Sequence, residues 1–301
     1  MVKIDIIGAP TAFGQPKLGV SLGPDAVRLC GLEKHLSDLG HDVADKGNVY
    51  GNYSTEYDNH SVRNGEGLMN FEQVKDFSEH LADSVEDSLD NNRFPFIVGG
   101  DHSLSIGSIS GVTKKCKNLG VLWIDAHGDI NNSETSPSGN IHGMPLGVLL
   151  GEGSESLVNI HHEGAKLSHE NIVLVGVRDL DIGEKAYIKE HGIKCYTMSD
   201  VRRLGLDVVI TKSLKHLQDC DGIHLSLDVD SLDPLEIQGT GTKVTGGIFL
   251  SEMLLGLNIL SKTELLISAD LVEVNPLLDT GNETAEKAVT IAEYIFGQSQ
   301  I

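Results

Sequence analysis

The sequence predicts an α/β protein built on a mainly parallel sheet of eight strands with helices on both faces. Three observations carry this. Strand-like runs recur near Ile4, Val43, Phe96, Val121, Val173, Lys194, His224 and Ile267 along 301 residues. Segments of helical periodicity separate most of them, and such alternation places successive strands in parallel. Three of the runs then end in clustered Asp and His, at the strand ends where open α/β sheets bind ligands. A closed eight-stranded barrel shares this count and alternation, so the pattern alone leaves two architectures.

In order, residues 2–7 form the first strand, and a Gly- and Pro-rich loop follows as far as Pro24, which suits a first helical turn. A helix is expected over 25–39, closed by Gly40, and then a short strand over 42–45. The polar stretch 46–67 has no clear period and either moves or covers the site. Phe77, Leu81, Val85 and Leu89 recur every four residues and predict a helix over 71–89. A strand over 94–98 follows, and helices at 207–217, 251–260 and 283–296 serve the second half. No repeat or linker divides the chain, so residues 1–301 are expected to form one catalytic domain.

Composition removes several function classes. With 44 acidic and 23 basic residues the net charge is -21, which excludes nucleic acid and anionic membrane as partners. Cys30, Cys116, Cys195 and Cys220 lack CxxC spacing, so a zinc knuckle and a disulfide framework are disfavoured and reduced, buried thiols are expected. No run approaches a membrane span and no leader pattern opens the chain; a soluble, cytoplasmic protein is expected. Met144 and Met253 read as core fillers.

The chemistry concentrates at 124–144, IDAHGDINNSETSPSGNIHGM. If the strand continued, Asp125, His127 and Asp129 would share one face. A single Asp or His at a strand end ordinarily makes a cap or turn. Several crowded carboxylates repel unless a cation neutralises them. Asp228 and Asp230 repeat the pattern after the run 222–227, and His102 follows Gly99 and Gly100 after a third run. The six candidate ligands, His102, Asp125, His127, Asp129, Asp228 and Asp230, are too many and too oxygen-rich for one tetrahedral zinc. They suit a pair of harder ions such as manganese, about 3.5–4 Å apart in hydrolytic pairs.

GGDHS at 99–103, DAHGD at 125–129, SGNIHG at 138–143 and SLDVDSLDP at 226–234 together resemble the arginase (ureohydrolase) family, its arginase branch in particular. The resemblance extends from IDIIGAP near the start to DLVEVNP at 270–276. It implies the open three-layer α/β/α sheet instead of the barrel. It also implies two Mn2+ per subunit, one on His102, Asp125, Asp129 and Asp228, the other on Asp125, His127, Asp228 and Asp230, with Asp125 and Asp228 bridging.

By the same resemblance, Glu273 binds the substrate guanidinium, His142 transfers a proton to the leaving amine, and Asp129 accepts a hydrogen bond from the attacking hydroxide. Asn131, Ser138 and Asn140 match residues that meet the substrate carboxylate, and Asp181 the one that faces its ammonium. The implied reaction is hydrolysis of L-arginine to L-ornithine and urea by a homo-oligomer, a hexamer or trimer. Agmatine, which lacks a carboxylate, is the competing substrate within the family, and a silent homologue that binds an amino acid or a partner is the competing class. Two departures stand out: Gln238 and Lys243 flank GTGT where the family usually carries prolines. His224 reads as a buried histidine outside the ligand set; Asp101, Asp179, Asp233 and Thr242 read as residues that fix loops.

Overall fold

A computed structural model describes residues 1–53 and 63–299. Its strands are β1 (Lys3–Ala9), β2 (Asp42–Asn48), β3 (Phe94–Gly99), β4 (Leu119–Ile124), β5 (Ile172–Val177), β6 (Lys194–Thr197), β7 (Gly222–Asp228) and β8 (Leu266–Val272). They form one sheet in the order β2-β1-β3-β8-β7-β4-β5-β6. Every pairing is parallel. β2 and β6 are the two edges, so the sheet is open and the barrel alternative falls. All residues of β4 and β5 are buried, as continuous apolar strands covered on both faces require.

Eleven helices accompany the described sheet: α1 (Gly23–Leu29), α2 (Leu32–Asp38), α3 (Phe71–Asp90), α4 (Ser105–Lys115), α5 (Pro145–Leu149), α6 (Glu155–Val158), α7 (Ile182–Glu190), α8 (Met198–Leu204), α9 (Leu206–His216), α10 (Leu250–Leu260) and α11 (Glu283–Ile295). Alternation along the strands sorts them into two layers. Ile4, Ile6, Leu122, Ile124, Leu225 and Leu227 pack with α1, α2 and α8 to α11. Ile7, Ile97, Val121 and Trp123 pack with α3, α4 and α5 on the other face. Helix α4 approaches α3 closely because Gly107 and Gly111 face it; a Cβ on either would lie 2.5 Å from the carbonyl of Ser78 or Ala82.

Two expected elements differ. The helix over 25–39 is broken into α1 and α2 by Gly31, whose φ of +83° is left-handed and outside any helix. The strand over 42–45 runs on to Asn48, since β1 supplies a paired edge as far as Gly8. Of the polar stretch 46–67, residues 54–62 lie outside the described residues. Its described end contacts the loop at 138–140: Met69 N–H donates to Gly139 at 2.9 Å, and Arg63 donates to Ser138 O at 3.0 Å. All four cysteines are free, but Cys30 and Cys195 are only partly buried. Among the described residues, no helix is long and apolar enough to cross a membrane.

Candidate metal centre

The carboxyl ends of four adjacent central strands, β3, β8, β7 and β4, converge on one place. β3 leads to His102, β8 to Glu273, β7 carries Asp228 and leads to Asp230, and β4 leads to Asp125, His127 and Asp129. The register sets Ile124 beside Leu227, and therefore Asp125 at the level of Asp228.

The convergence does not arise from continued strands. β4 ends at Ile124, Asp129 has φ +51°, and Asp230 lies in a 3-10 turn over Val229–Ser231. At three of these strand ends an aspartate instead folds the chain onto itself: Asp125 Oδ1 accepts from His127 N–H at 2.7 Å, Asp228 Oδ1 from Asp230 N–H at 2.7 Å, and Asp101 Oδ1 from Ser103 N–H at 3.0 Å. These are Asx turns, a local alternative to the strand ladder.

Two clusters result. His102 Nδ1 lies 3.1, 3.0 and 3.3 Å from the Oδ2 atoms of Asp125, Asp129 and Asp228. His127 Nδ1 lies 3.3 Å from Asp125 Oδ1 and 3.2 Å from Asp230 Oδ2. Asp125 thus offers one oxygen to each, and the sets His102, Asp125, Asp129 and Asp125, His127, Asp230 have the spacing of metal ligands. His102 Nδ1 is buried with no aligned hydrogen-bond partner. Its ring stacks on Trp123 at 4.1 Å between centroids, and Trp123 Nε1–H donates to Asp125 Oδ2 at 3.0 Å.

Charge crowding shows in the protonation of these groups. Burial and the neighbouring Asp125 lift Asp129 to about 6. Burial and adjacent carboxylates raise Asp228 and Asp230. Burial opposes ionisation of Asp125 too, yet His102 and His127 outweigh it and hold that carboxylate well below the usual range. The same carboxylates hold His102 and His127 above theirs, against burial. Four buried carboxylates, two imidazoles and an unpartnered imidazole nitrogen fit divalent cations.

Above the clusters lies a cleft of about 160 Å³ lined by His102, His127, Asp129, Asn131, Ser138, Asn140, His142, Asp181 and Asp228. Asp125, Asp230 and Glu273 lie behind that surface. Glu273 is 3 % exposed with φ +65°, accepts from His102 N–H at 3.0 Å, and stands 3.4 Å from His142 Nδ1. Burial works against a charge on His142, but Glu273, Asp129 and Asp101 prevail and raise its pKa. On the rim Asn131 Nδ2 donates to Asp181 Oδ2 at 3.0 Å.

The sequence model of the arginase family matches residues 2–297. The chain belongs to the arginase family. An arginase of Staphylococcus aureus is 50 % identical over 98 % of this chain and 97 % of its own. The native structure of the arginase of Bacillus caldovelox superposes with a TM-score of 0.95 at 43 % identity and full coverage of both chains. The Entamoeba histolytica arginase, solved in complex with L-ornithine, superposes at 0.88 with 35 % identity over 99 % of this chain and 100 % of that one. The chain is therefore an arginase-family hydrolase with a His/Asp cluster compatible with a binuclear metal site.

Two residues of this site, Glu184 and Arg178, escaped the sequence reading. Glu184 lines the cleft, accepts from Asp181 N–H at 2.8 Å and Ile130 N–H at 3.2 Å, and is lifted to about 7 by burial and by Asp129 and Asp181. Its signal was the capping-box spacing from Asp181. Arg178 spends its guanidinium on backbone carbonyls, among them Asp230 and Val244 at 2.7 and 2.8 Å, and so ties the ligand turn to the loop beyond GTGT. Within those loops Thr242 donates to Asp230 Oδ2 at 2.8 Å, and Asp233 accepts from Gly246 and Gly247 N–H at 2.8 and 2.9 Å.

Proposed function

We propose that this chain, as one catalytic domain over residues 1–301, hydrolyses L-arginine to L-ornithine and urea with two Mn2+ per subunit. The observation that carries the reading is the pair of His/Asp clusters sharing Asp125 beneath a polar cleft. His102, Asp125, Asp129 and Asp228 would hold one ion, and Asp125, His127, Asp228 and Asp230 the other. When bound, such ions supply Lewis acidity that makes water nucleophilic at neutral pH.

The chain's own residues do the rest. Asp129, at the cleft surface, accepts a hydrogen bond from the attacking nucleophile and aims it at the guanidinium carbon. Glu273 offers the carboxylate that anchors the guanidinium. Attack makes that carbon tetrahedral; the bond to the side-chain nitrogen of ornithine then breaks and the amine takes a proton. His142 donates it, its pKa raised by Glu273. Asn131, Ser138 and Asn140 bind the α-carboxylate, while Asp181 faces the ammonium, a set suited to a zwitterion. The same reading places the protein in the cytoplasm as a homo-oligomer, a trimer or hexamer.

Urea release from L-arginine and from agmatine, before and after incubation with Mn2+, tests this. Manganese-dependent release from arginine alone is expected. Preference for agmatine overturns the roles of Ser138, Asn140 and Asp181, and no urea from either substrate overturns the reaction.

A further inference from the structure

β7 and β8 lie in the middle of a sheet covered on both faces, where parallel strands are ordinarily apolar throughout. On the face covered by α4 they break that rule. His224, Ser226 and Asp228 alternate along β7 and pair in register with Ser268, Asp270 and Val272 of β8. The five polar residues of this file beneath the cleft are buried. Helix α4 adds Ser105 and Ser108, also buried. Ser105 Oγ and Ser108 Oγ lie 2.8 and 2.7 Å from Asp270 Oδ2, Ser226 Oγ lies 3.3 Å from Ser105 Oγ, and His102 Nε2 lies 2.9 Å from Ser226 Oγ. His224 Nε2 stands 3.1 Å from the same Asp270 oxygen, and its Nδ1 is 2.8 Å from Ser268 Oγ.

The direction of each bond follows from its end. A carboxylate only accepts, so Ser105 donates to Asp270. Its single proton is then spent, and Ser226 must donate to Ser105. Ser226 has no proton left for His102, so His102 Nε2 carries the hydrogen and donates. In the neutral ring that a metal ligand requires, Nδ1, the nitrogen facing Asp125, Asp129 and Asp228, is then the one that carries the lone pair.

We infer that Asp270 is a positioning residue for the metal centre: through Ser105 and Ser226 it fixes the His102 tautomer that can ligate an ion. Groups that orient a ligating histidine typically carry about 10- to 100-fold in metal affinity. The inference rests on the metal-site reading above, and the experiment separates the two.

Metal-depleted protein is titrated with Mn2+ by calorimetry, and its melting temperature is measured without metal. Two ions bound by the unaltered chain uphold the site reading, and absence of binding there overturns that reading itself. Given binding, Ser226→Ala and Asp270→Asn are expected to weaken one ion about 10- to 100-fold. The double variant is expected to be no weaker than Ser226→Ala alone, because both cut one relay. Ser105→Ala, which leaves Asp270 its contacts with Ser108 and His224, decides the matter if Asp270→Asn fails to fold. A lower metal-free melting temperature with unchanged affinity in the folded variants, or additive losses in the double variant, would overturn the relay.

Discussion

The floor and the rim of this site are built differently. Floor ligands sit at the strand ends or within five residues of them, are mostly buried, and several serve twice: Asp125 and Asp228 close an Asx turn with one oxygen while the other faces an imidazole. Rim residues lie on loops held by other loops, with Arg63 donating to Ser138 O and Thr135 to Asn131 Oδ1. A floor residue cannot be removed without disturbing both backbone and charge. A rim residue can, so the floor should govern whether chemistry occurs and the rim which substrate is read.

The sharpest test is Asp125→Asn, which removes charge from both clusters at once and keeps the shape. Both ions should be lost and turnover should fall about 10²–10³-fold, the order lost with a preorganised electrostatic element. Metal content by atomic emission and urea release check this, with circular dichroism to confirm folding. Two ions retained with ordinary turnover would erase the distinction between floor and rim.

Between the two regions stands the His142–Glu273 pair. His142→Ala should cost about 10²–10⁴-fold in kcat, the usual worth of a general acid, with metal content unchanged. The pH profile is more telling. Glu273 helps to raise the pKa of His142, so the protonated donor persists to higher pH than an ordinary imidazole. Glu273→Gln should therefore move the alkaline limb of kcat to lower pH. A limb that stays in place would show that His142 is not the group that titrates.

The six inner strands were legible because each is a largely buried apolar run bounded by turn residues, the partly exposed edge strands β2 and β6 only as short segments within the alternation, and the long helix α3 because its period is strong. Helix α4 was harder: SIGSISGVTKK is rich in weak helix formers, and it is helical because Gly107 and Gly111 let it pack tightly on α3. The convergence of Asp125, His127 and Asp129 was readable, but the reason offered for it, strand alternation, was not the physical one. An Asx turn depends on a backbone N–H two residues on, which periodicity does not encode. Trp123 and Ser226, both in contact with His102, look in sequence like ordinary core residues; only the register of β4 with β7 brings them beneath the ligand. The open sheet, rather than the barrel, came from the family motifs and not from the pattern.

Rim substitutions should be milder. Asn140→Ala and Ser138→Ala each delete one neutral hydrogen-bonding group at the cleft surface, worth about 1 kcal/mol, or roughly fivefold. KM for arginine should rise by about that factor with kcat nearly unchanged, and the ratio of arginine to agmatine turnover should fall. A loss of kcat at constant KM would place these residues with the floor.

The smallest effect is expected from Lys243→Ala. The ammonium is exposed, and its contact is Gln238 Oε1 at 3.3 Å, so the two residues that flank GTGT lean on one another at the surface. Exposed charges are screened, and a surface substitution of this kind ordinarily changes stability by less than about 0.5 kcal/mol. Mn2+ affinity should stay within about twofold, since an exposed ammonium is screened by water and salt. The floor's own anchors, Thr242 on Asp230 and Arg178 on the Asp230 and Val244 carbonyls, remain in the variant. Tighter manganese binding by Lys243→Ala would mean that the rim loop reaches the floor electrostatically after all, and the division between the two regions would have to be redrawn at residue 242.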